Sequence, residues 1–337
     1  MLDFGWLRGR NVTLLRLFVA FLLIALIFRV PFVTVSAYGE DRNVRDVIRD
    51  SFYGFCETID ISSYDIKPEE LSYLFSSVIK DDPYLFFVDT NMTYSFTPGG
   101  YVLTLRPTYS IKGEEVFFAW EYCREWVRSI AREAEKFEDD GQKATYLHDR
   151  LCLFIEYDQS LESDDLFDLL LLGRGTCQAY TQAYTAVLRE CGIEAHFVAS
   201  DSIEHIWNCL LVDGEWYHAD LTWDDSASVE AGKISRRHLL LSDRAALERG
   251  HRDWYSSEPI FCDSERFTDC DFDLLLHSTC ERGDINHDGE VTLADLLLVR
   301  KKQEDRKICG ECSDLDGDGD SDNDDIALMR KKILVSH

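Results

Sequence analysis

Positive charge is scarce in this chain. Its 35 Lys and Arg residues face 63 Asp and Glu, a net charge of −28 at pH 7. So acidic a surface repels phosphates, and nucleic-acid binding needs the opposite sign. Nucleic acid is therefore excluded as a partner. The surplus carboxylates either solvate the surface or hold cations. Long apolar runs are also missing. The run near the start, Leu17–Phe28, is shorter than the ~20 residues that span a bilayer. No paired-carboxylate site of the kind that cleaves glycosidic bonds stands out. A lone C-x-x-C, Cys309 and Cys312, lacks the further ligands that zinc requires and points to a local disulfide or free thiols. A hydrophobic core is not missing. Hydrophobic residues make up 45% and aromatics 12%, the composition of a globular protein.

The N-terminus bears on the compartment. Arg8, Arg10 and Arg16 precede or open the apolar run, and Val35-Ser36-Ala37 follows it. A basic start, a short apolar stretch and a small-x-small site describe an export signal over 1–37, cleaved after Ala37. The alternative is an uncleaved anchor, which needs the apolar stretch to continue through Val30–Val35 past Arg29. With cleavage the protein is secreted, extracellular or at the cell surface, and meets the membrane only transiently. Eleven cysteines in an exported chain permit disulfides without dictating them. The odd count leaves at least one thiol over if the rest pair within the chain.

Residues 38–142 form an N-terminal α/β region. "IKPEELSYLFSSVIKDDP" has a proline near its start and apolar residues at helical spacing. "YLFFVDTNMTYSFTPGGYVLTLRPTYS" predicts strands around a Pro-Gly-Gly turn. "EVFFAWEYCREWVRSIAREAEKF" predicts a long helix, and "KATYLHDRLCLFIEYD" a second. No catalytic constellation is visible in this region, which reads as core and scaffold. Residues 143–262 follow, then a connecting segment, 263–282, with Cys262, Cys270 and Cys280 nearby. The last region, 283–337, contains an internal repeat.

The stretch "GRGTCQAYTQAYTAVLRECG" places Cys177 between a glycine-rich turn and a helical run. Thr176 is placed to cap that helix and Gly192 to stop it. Tyr180, Tyr184, Val187, Leu188 and Cys191 share one helical face. In the first turn, free amide groups and the helix dipole favour a thiolate. Three roles remain open on spacing alone: a buried small hydrophobe, half of a disulfide, or a nucleophile. A nucleophile needs a base. Asp213-Gly214 in "HIWNCLLVDGEWYHADLTWDD" is a two-residue hairpin turn. Pairing Val212 with Glu215 sets Trp207 opposite Asp220 and His205 opposite Thr222. His205 and Asp220 then project from one face as diagonal neighbours. His196 and His218 sit in strands without a comparable partner and read as structural.

Together, "GTCQAYTQAYTAVLRECGIEAHFVAS", "HIWNCLLVDGEWYHADLTWDD" and "RRHLLLSDRAALERGHRDW" resemble the bacterial transglutaminase-like, cysteine peptidase-type family. "YLHDRLCLFIEYD" resembles that family's lead-in helix. The resemblance implies an α+β, papain-like core over 143–262, with the cysteine helix packed on an antiparallel sheet. It implies Cys177 as nucleophile, His205 as base and Asp220 as orienting acid, with Trp207 and Asn208 in support. Ile206 departs from the alanine frequent at that position. The family's chemistry implies a protein or peptide substrate, and either hydrolysis or transamidation through a thioester. The alternative is a non-catalytic binding or structural module that keeps the fold as a scaffold.

The repeat aligns "DINHDGEVTLADLLLVRKK" with "DLDGDGDSDNDDIALMRKK". Oxygen donors fall at loop positions 1, 3, 5, 9 and 12, with glycine at 6, the spacing of a calcium loop. The first loop offers Asp284, Asn286, Asp288, Thr292 and Asp295, plus the Glu290 carbonyl. The second offers Asp314, Asp316, Asp318, Asp322 and Asp325, plus the Asp320 carbonyl. Helix signals follow each loop but none clearly precedes it. This loop-helix duplication resembles a type I dockerin. The resemblance implies a small all-α module over 283–337, two calcium ions, a cohesin module of a cellulosome scaffold as partner, and Leu293-Ala294 and Asn323-Asp324 as partner-reading positions.

Overall fold

The computed structural model describes residues 43–161, 163–231, 234–256, 259–269, 282–283, 291, 315–316 and 323–335. The expected export segment 1–37, Cys270, Cys280, Cys309, Cys312 and most of both acidic loops lie outside the described residues. Among the described residues no helix is long and apolar enough to cross a membrane.

Local signals start most of the elements. Asn43 accepts from the Arg45 amide at 3.0 Å and opens α1 (Val44–Tyr53), a helix the spacing did not announce. Pro68 occupies the first turn of α2 (Pro68–Asp81), and Glu70 reaches back to the Lys67 amide at 2.9 Å. β1 (Ile59–Asp60) and the hairpin of β2 (Val88–Phe96) and β3 (Val102–Tyr109) form an antiparallel sheet ordered β1-β3-β2. Then come α3 (Glu114–Ala134) and α4 (Asp140–Phe154), the latter capped by Asp139 on the Gln142 amide at 2.9 Å. β4 (Glu156–Tyr157) pairs in parallel with β5 (Arg174–Gly175), with α5 (Leu166–Leu172) between them. The architecture is α+β, as the resemblance implies.

The cysteine helix is α6 (Cys177–Glu190). Its spacing predicts one apolar face, yet Ala179 to Leu188 are all buried. The difference is one of position. α3, α4 and α5 lie against it, and the second sheet packs against it as well. Its polar residues survive burial because they are bonded. Thr181 Oγ1 donates to the Cys177 carbonyl at 2.8 Å, and Gln182 Oε1 accepts from the Leu166 amide at 3.1 Å.

The second sheet is antiparallel, ordered β8-β7-β6-β9, from β6 (Ala195–Ser200), β7 (His205–Val212), β8 (Glu215–Ala219) and β9 (Tyr255–Ser256). Asp213 and Gly214 have φ of 51° and 81°, as a two-residue turn requires. Val212 pairs with Glu215, and the register runs to Asn208 opposite Ala219. There it stops, so the expected pairings of Trp207 with Asp220 and His205 with Thr222 do not form. The chain turns into α7 (Leu221–Ala231) instead. Asp220 causes the turn. Its Oδ1 accepts from the Trp223 amide at 3.1 Å, and its carbonyl accepts from the Asp224 amide at 3.1 Å. α8 (Asp243–Glu248) and α9 (Asn323–Val335) complete the described helices.

Candidate functional site

Cys177 is half-buried at the first turn of α6. Thr176 occupies the cap position, but its side chain makes no capping bond, contrary to expectation. Its amide donates instead to the Ser163 carbonyl at 2.8 Å, fixing the turn. Gly175 is required by space. A Cβ there would lie 2.7 Å from Ala179 Cβ and 2.9 Å from Leu169 Cδ1.

His205 opens β7. Its Nε2 donates to Asp220 Oδ2 at 2.8 Å, and Cys177 packs against the cluster of Phe197, Ala199 and Ile206 on β6 and β7. With Nε2 committed, Nδ1 is the nitrogen left for the sulfur. The imidazole is only 7% exposed. It stacks on Trp223, with centroids 5.0 Å apart and planes 8° apart, and on Trp207 at 5.8 Å and 21°. Burial works against its charged form, but the Asp220 charge and hydrogen bond, and then Cys177, raise it to about 10. Burial likewise works against the Asp220 carboxylate. His205 and His251 outweigh it and hold that carboxyl well below its usual range.

His251 is a member of this constellation that spacing did not assign. Its Nε2 lies 2.9 Å from Asp220 Oδ2, and its Nδ1 lies 3.3 Å from the Ala246 carbonyl. It follows Gly250 beyond α8, and nothing in the local pattern directs it back to Asp220. Asn208, read as support, has a definite job. Its Nδ2 donates to the Thr181 carbonyl at 3.1 Å and to Thr185 Oγ1 at 2.8 Å. It thereby staples the strand of His205 to the helix of Cys177.

His196 and His218 do have partners, against expectation. His196 lies 3.0 Å from Asp81 Oδ1 and 3.1 Å from Glu194 Oε1. His218 Nε2 lies 2.8 Å from Asp243 Oδ1. Cys209, His218 and Cys262 are buried together with donor atoms close enough to hold a metal. Under α7, His148 lies between Asp149 Oδ1 at 2.9 Å and Asp224 Oδ2 at 3.2 Å, and Arg236 bonds Asp149 at 2.6 Å. Burial pushes His148 down, but Cys152 and both carboxylates hold it well above its usual value. This cluster ties the start of α7, and hence Asp220, to α4.

Of the expected calcium ligands, Asp316 and Asp325 fall among the described residues. Asp325 is buried, and its Oδ1 accepts from the amides of Leu315 at 2.6 Å and Asp316 at 3.3 Å. The last loop carboxylate therefore folds back onto the start of its own loop, which suits closure around a hard cation. Asp284, Asn286, Asp288, Glu290, Thr292, Asp295, Asp314, Asp318, Asp320 and Asp322 lie outside the described residues.

Residues 126–221 match the family model of the transglutaminase-like superfamily, and residues 282–334 that of the dockerin type I domain. No curated protein matches the chain. Similar solved structures include a TGase at 12% identity and a TM-score of 0.29, with 40% of this chain and 44% of that one covered. They include a candidate cysteine protease from Cytophaga hutchinsonii at 14% and 0.28, covering 51% and 77%. A candidate protease from Parabacteroides distasonis gives 14% and 0.23, covering 39% and 35%. The chain thus spans under half the length of the TGase. By its two sequence matches, the chain carries a transglutaminase-like core at residues 126–221 and a type I dockerin domain at residues 282–334.

Proposed function

We propose that this chain is an exported thiol enzyme that transfers acyl groups of protein or peptide substrates through Cys177. The observation that carries this is His205, whose Nε2 bonds the Asp220 carboxylate at 2.8 Å, with Cys177 packed against the cluster of Phe197, Ala199 and Ile206 on the strands beside it. Cys177 gives its proton to His205 and its sulfur attacks the acyl carbon. In this reading the Cys177 amide, at the start of α6, steadies the oxyanion. His205 then protonates the leaving amine, and a thioester remains. Water or a second amine, relieved of a proton by His205, releases the acyl group. Asp220 orients the imidazole and stabilises its cation. Peptidase and transamidase use the same three residues and differ only in the acceptor.

Type I dockerin domains generally bind calcium. In the same proposal the two acidic loops each hold one ion, and the module docks on a cohesin of an extracellular cellulosome.

The test is the alkylation rate of Cys177, followed by peptide mass analysis, in the wild type and in His205→Ala. The wild type should alkylate at pH 7 about tenfold faster than an ordinary free cysteine, and the variant should lose that advantage. A slow thiol indifferent to His205 would make the domain a scaffold.

A further inference from the structure

Alternation along β7 places Cys209 on the same face as Trp207 and His205. Cys262 arrives from beyond β9, with its carbonyl accepting from the Asp243 amide at 2.7 Å. The two sulfurs are buried, 3.6 Å apart. Cys209 Sγ lies 3.2 Å from His218 Nδ1, and Trp207 Nε1 donates to that same nitrogen at 3.0 Å. A metal would need the Nδ1 lone pair that the indole N–H already occupies. Among the described residues no fourth metal ligand joins the cluster. The two sulfurs are left to each other.

We infer that Cys209 and Cys262 form a disulfide, made by thiol–disulfide exchange with a small-molecule or protein disulfide. The proposed export supplies the oxidising compartment, but the inference does not depend on acyl transfer at Cys177.

The Cys262 thiolate attacks the oxidant disulfide, forming one S–S bond and expelling one thiolate. Cys209 then loses its proton and attacks Cys262 Sγ, expelling the second thiolate. The pair gives up two electrons and two protons, and the oxidant becomes two thiols. Both sulfurs are buried, so exchange is completed before Cys262 closes against β7. The bond ties β7, which begins at His205, to the segment that follows His251. The covalent loop from Cys209 to Cys262 then encloses Asp220 and His251, and His205 stands four residues ahead of it on β7.

The test uses the full chain equilibrated with reduced and oxidised glutathione, acid-quenched, denatured and alkylated. Trypsin leaves Cys191 and Cys209 on one peptide ending at Lys233, so a second cut after Glu194 separates them. The expected product joins the Cys209 and Cys262 peptides, lighter than their sum by two hydrogens. Reduction should lower the wild-type melting temperature by roughly 5–10 °C, and should not lower that of Cys209→Ser or Cys262→Ser. Alkylation of both cysteines in the fully oxidised sample would overturn the inference. So would zinc bound to the purified wild type and lost from both variants. Should either variant fail to fold, the wild-type peptide map decides by itself.

Discussion

His251 Nε2 sits 2.9 Å from Asp220 Oδ2, the same oxygen that accepts from His205 at 2.8 Å. The Trp223 amide holds the other carboxylate oxygen at 3.1 Å. Asp220 therefore has little freedom to swing, and neither has the imidazole bonded to it. A hydrogen bond to a charged group contributes about 1.5–3 kcal/mol. His251→Leu should accordingly lower the acylation rate of Cys177 by roughly 10- to 100-fold. His251→Gln, which keeps a donor, should recover most of that loss. Acylation by an activated aryl ester, read as the burst of released phenol, measures both variants. Equal losses would show that the side chain only fills space.

The charge pair sets a pH window. His205 stands at about 10 in the folded chain, against about 6.5 unfolded. A raised group contributes stability that is fully present below about pH 6.5 and is lost as the pH climbs towards 10. Asp220 runs the other way. Its contribution is present above about pH 3.9, the unfolded value, and is lost as the pH falls through the depressed folded value. The urea midpoint should therefore be flat near pH 5–6.5 and fall on both sides, about as linkage dictates. In Asp220→Asn the largest influence that raises His205 is removed, so the alkaline loss should shrink. The loss due to His148 should remain in both proteins, because its partners are untouched. Urea titrations from acid to alkaline pH, with His205 followed by imidazole NMR, check this. A wild-type His205 titrating near its ordinary value would contradict it.

Some of this architecture was legible and some was not, for physical reasons. Asp213-Gly214 demanded a turn with two positive φ values, and the register from Val212 opposite Glu215 to Asn208 opposite Ala219 follows from it. Counting pairs carried that register too far. Alternation cannot show that an aspartate will cap a helix and end its own strand, as Asp220 does through the Trp223 amide. His205 and Asp220 still meet, at a strand start and a helix cap rather than across a ladder. His251 was invisible because its partner is distant in sequence and no periodicity links them. The all-round burial of α6 was hidden for a related reason. Thr181, Gln182 and Thr185 look like a solvent face until the groups that bond them are known.

Asn208 offers a stability test independent of the chemistry. It is buried and donates to two groups one turn apart on α6. Asn208→Ala removes both bonds and strands the Thr185 hydroxyl in the interior. The expected loss is about 1–3 kcal/mol of unfolding free energy, read from urea midpoints at constant m-value. Because the staple joins the strand of His205 to the helix of Cys177, Cys177 alkylation should slow in parallel. An unchanged midpoint would mean that Thr185 finds another partner.

Calcium removal separates the two halves of the proposal. The Asp325 carboxylate lies against the start of its own loop, with Ile326 and Met329 of α9 buried beside it. Without a cation, the carboxylates gathered in each loop repel one another, and binding free energy that would support folding is withdrawn. Chelation should therefore unfold the C-terminal module and abolish binding to a cohesin, as read by circular dichroism and a pull-down. Added calcium should restore both. Cys177 lies in the transglutaminase-like core, outside the repeated loops, so its alkylation rate should stay within about twofold under chelation. Loss of thiol reactivity together with cohesin binding would show that the two modules share one folding unit, and the tethered-enzyme proposal would have to give up its modular form.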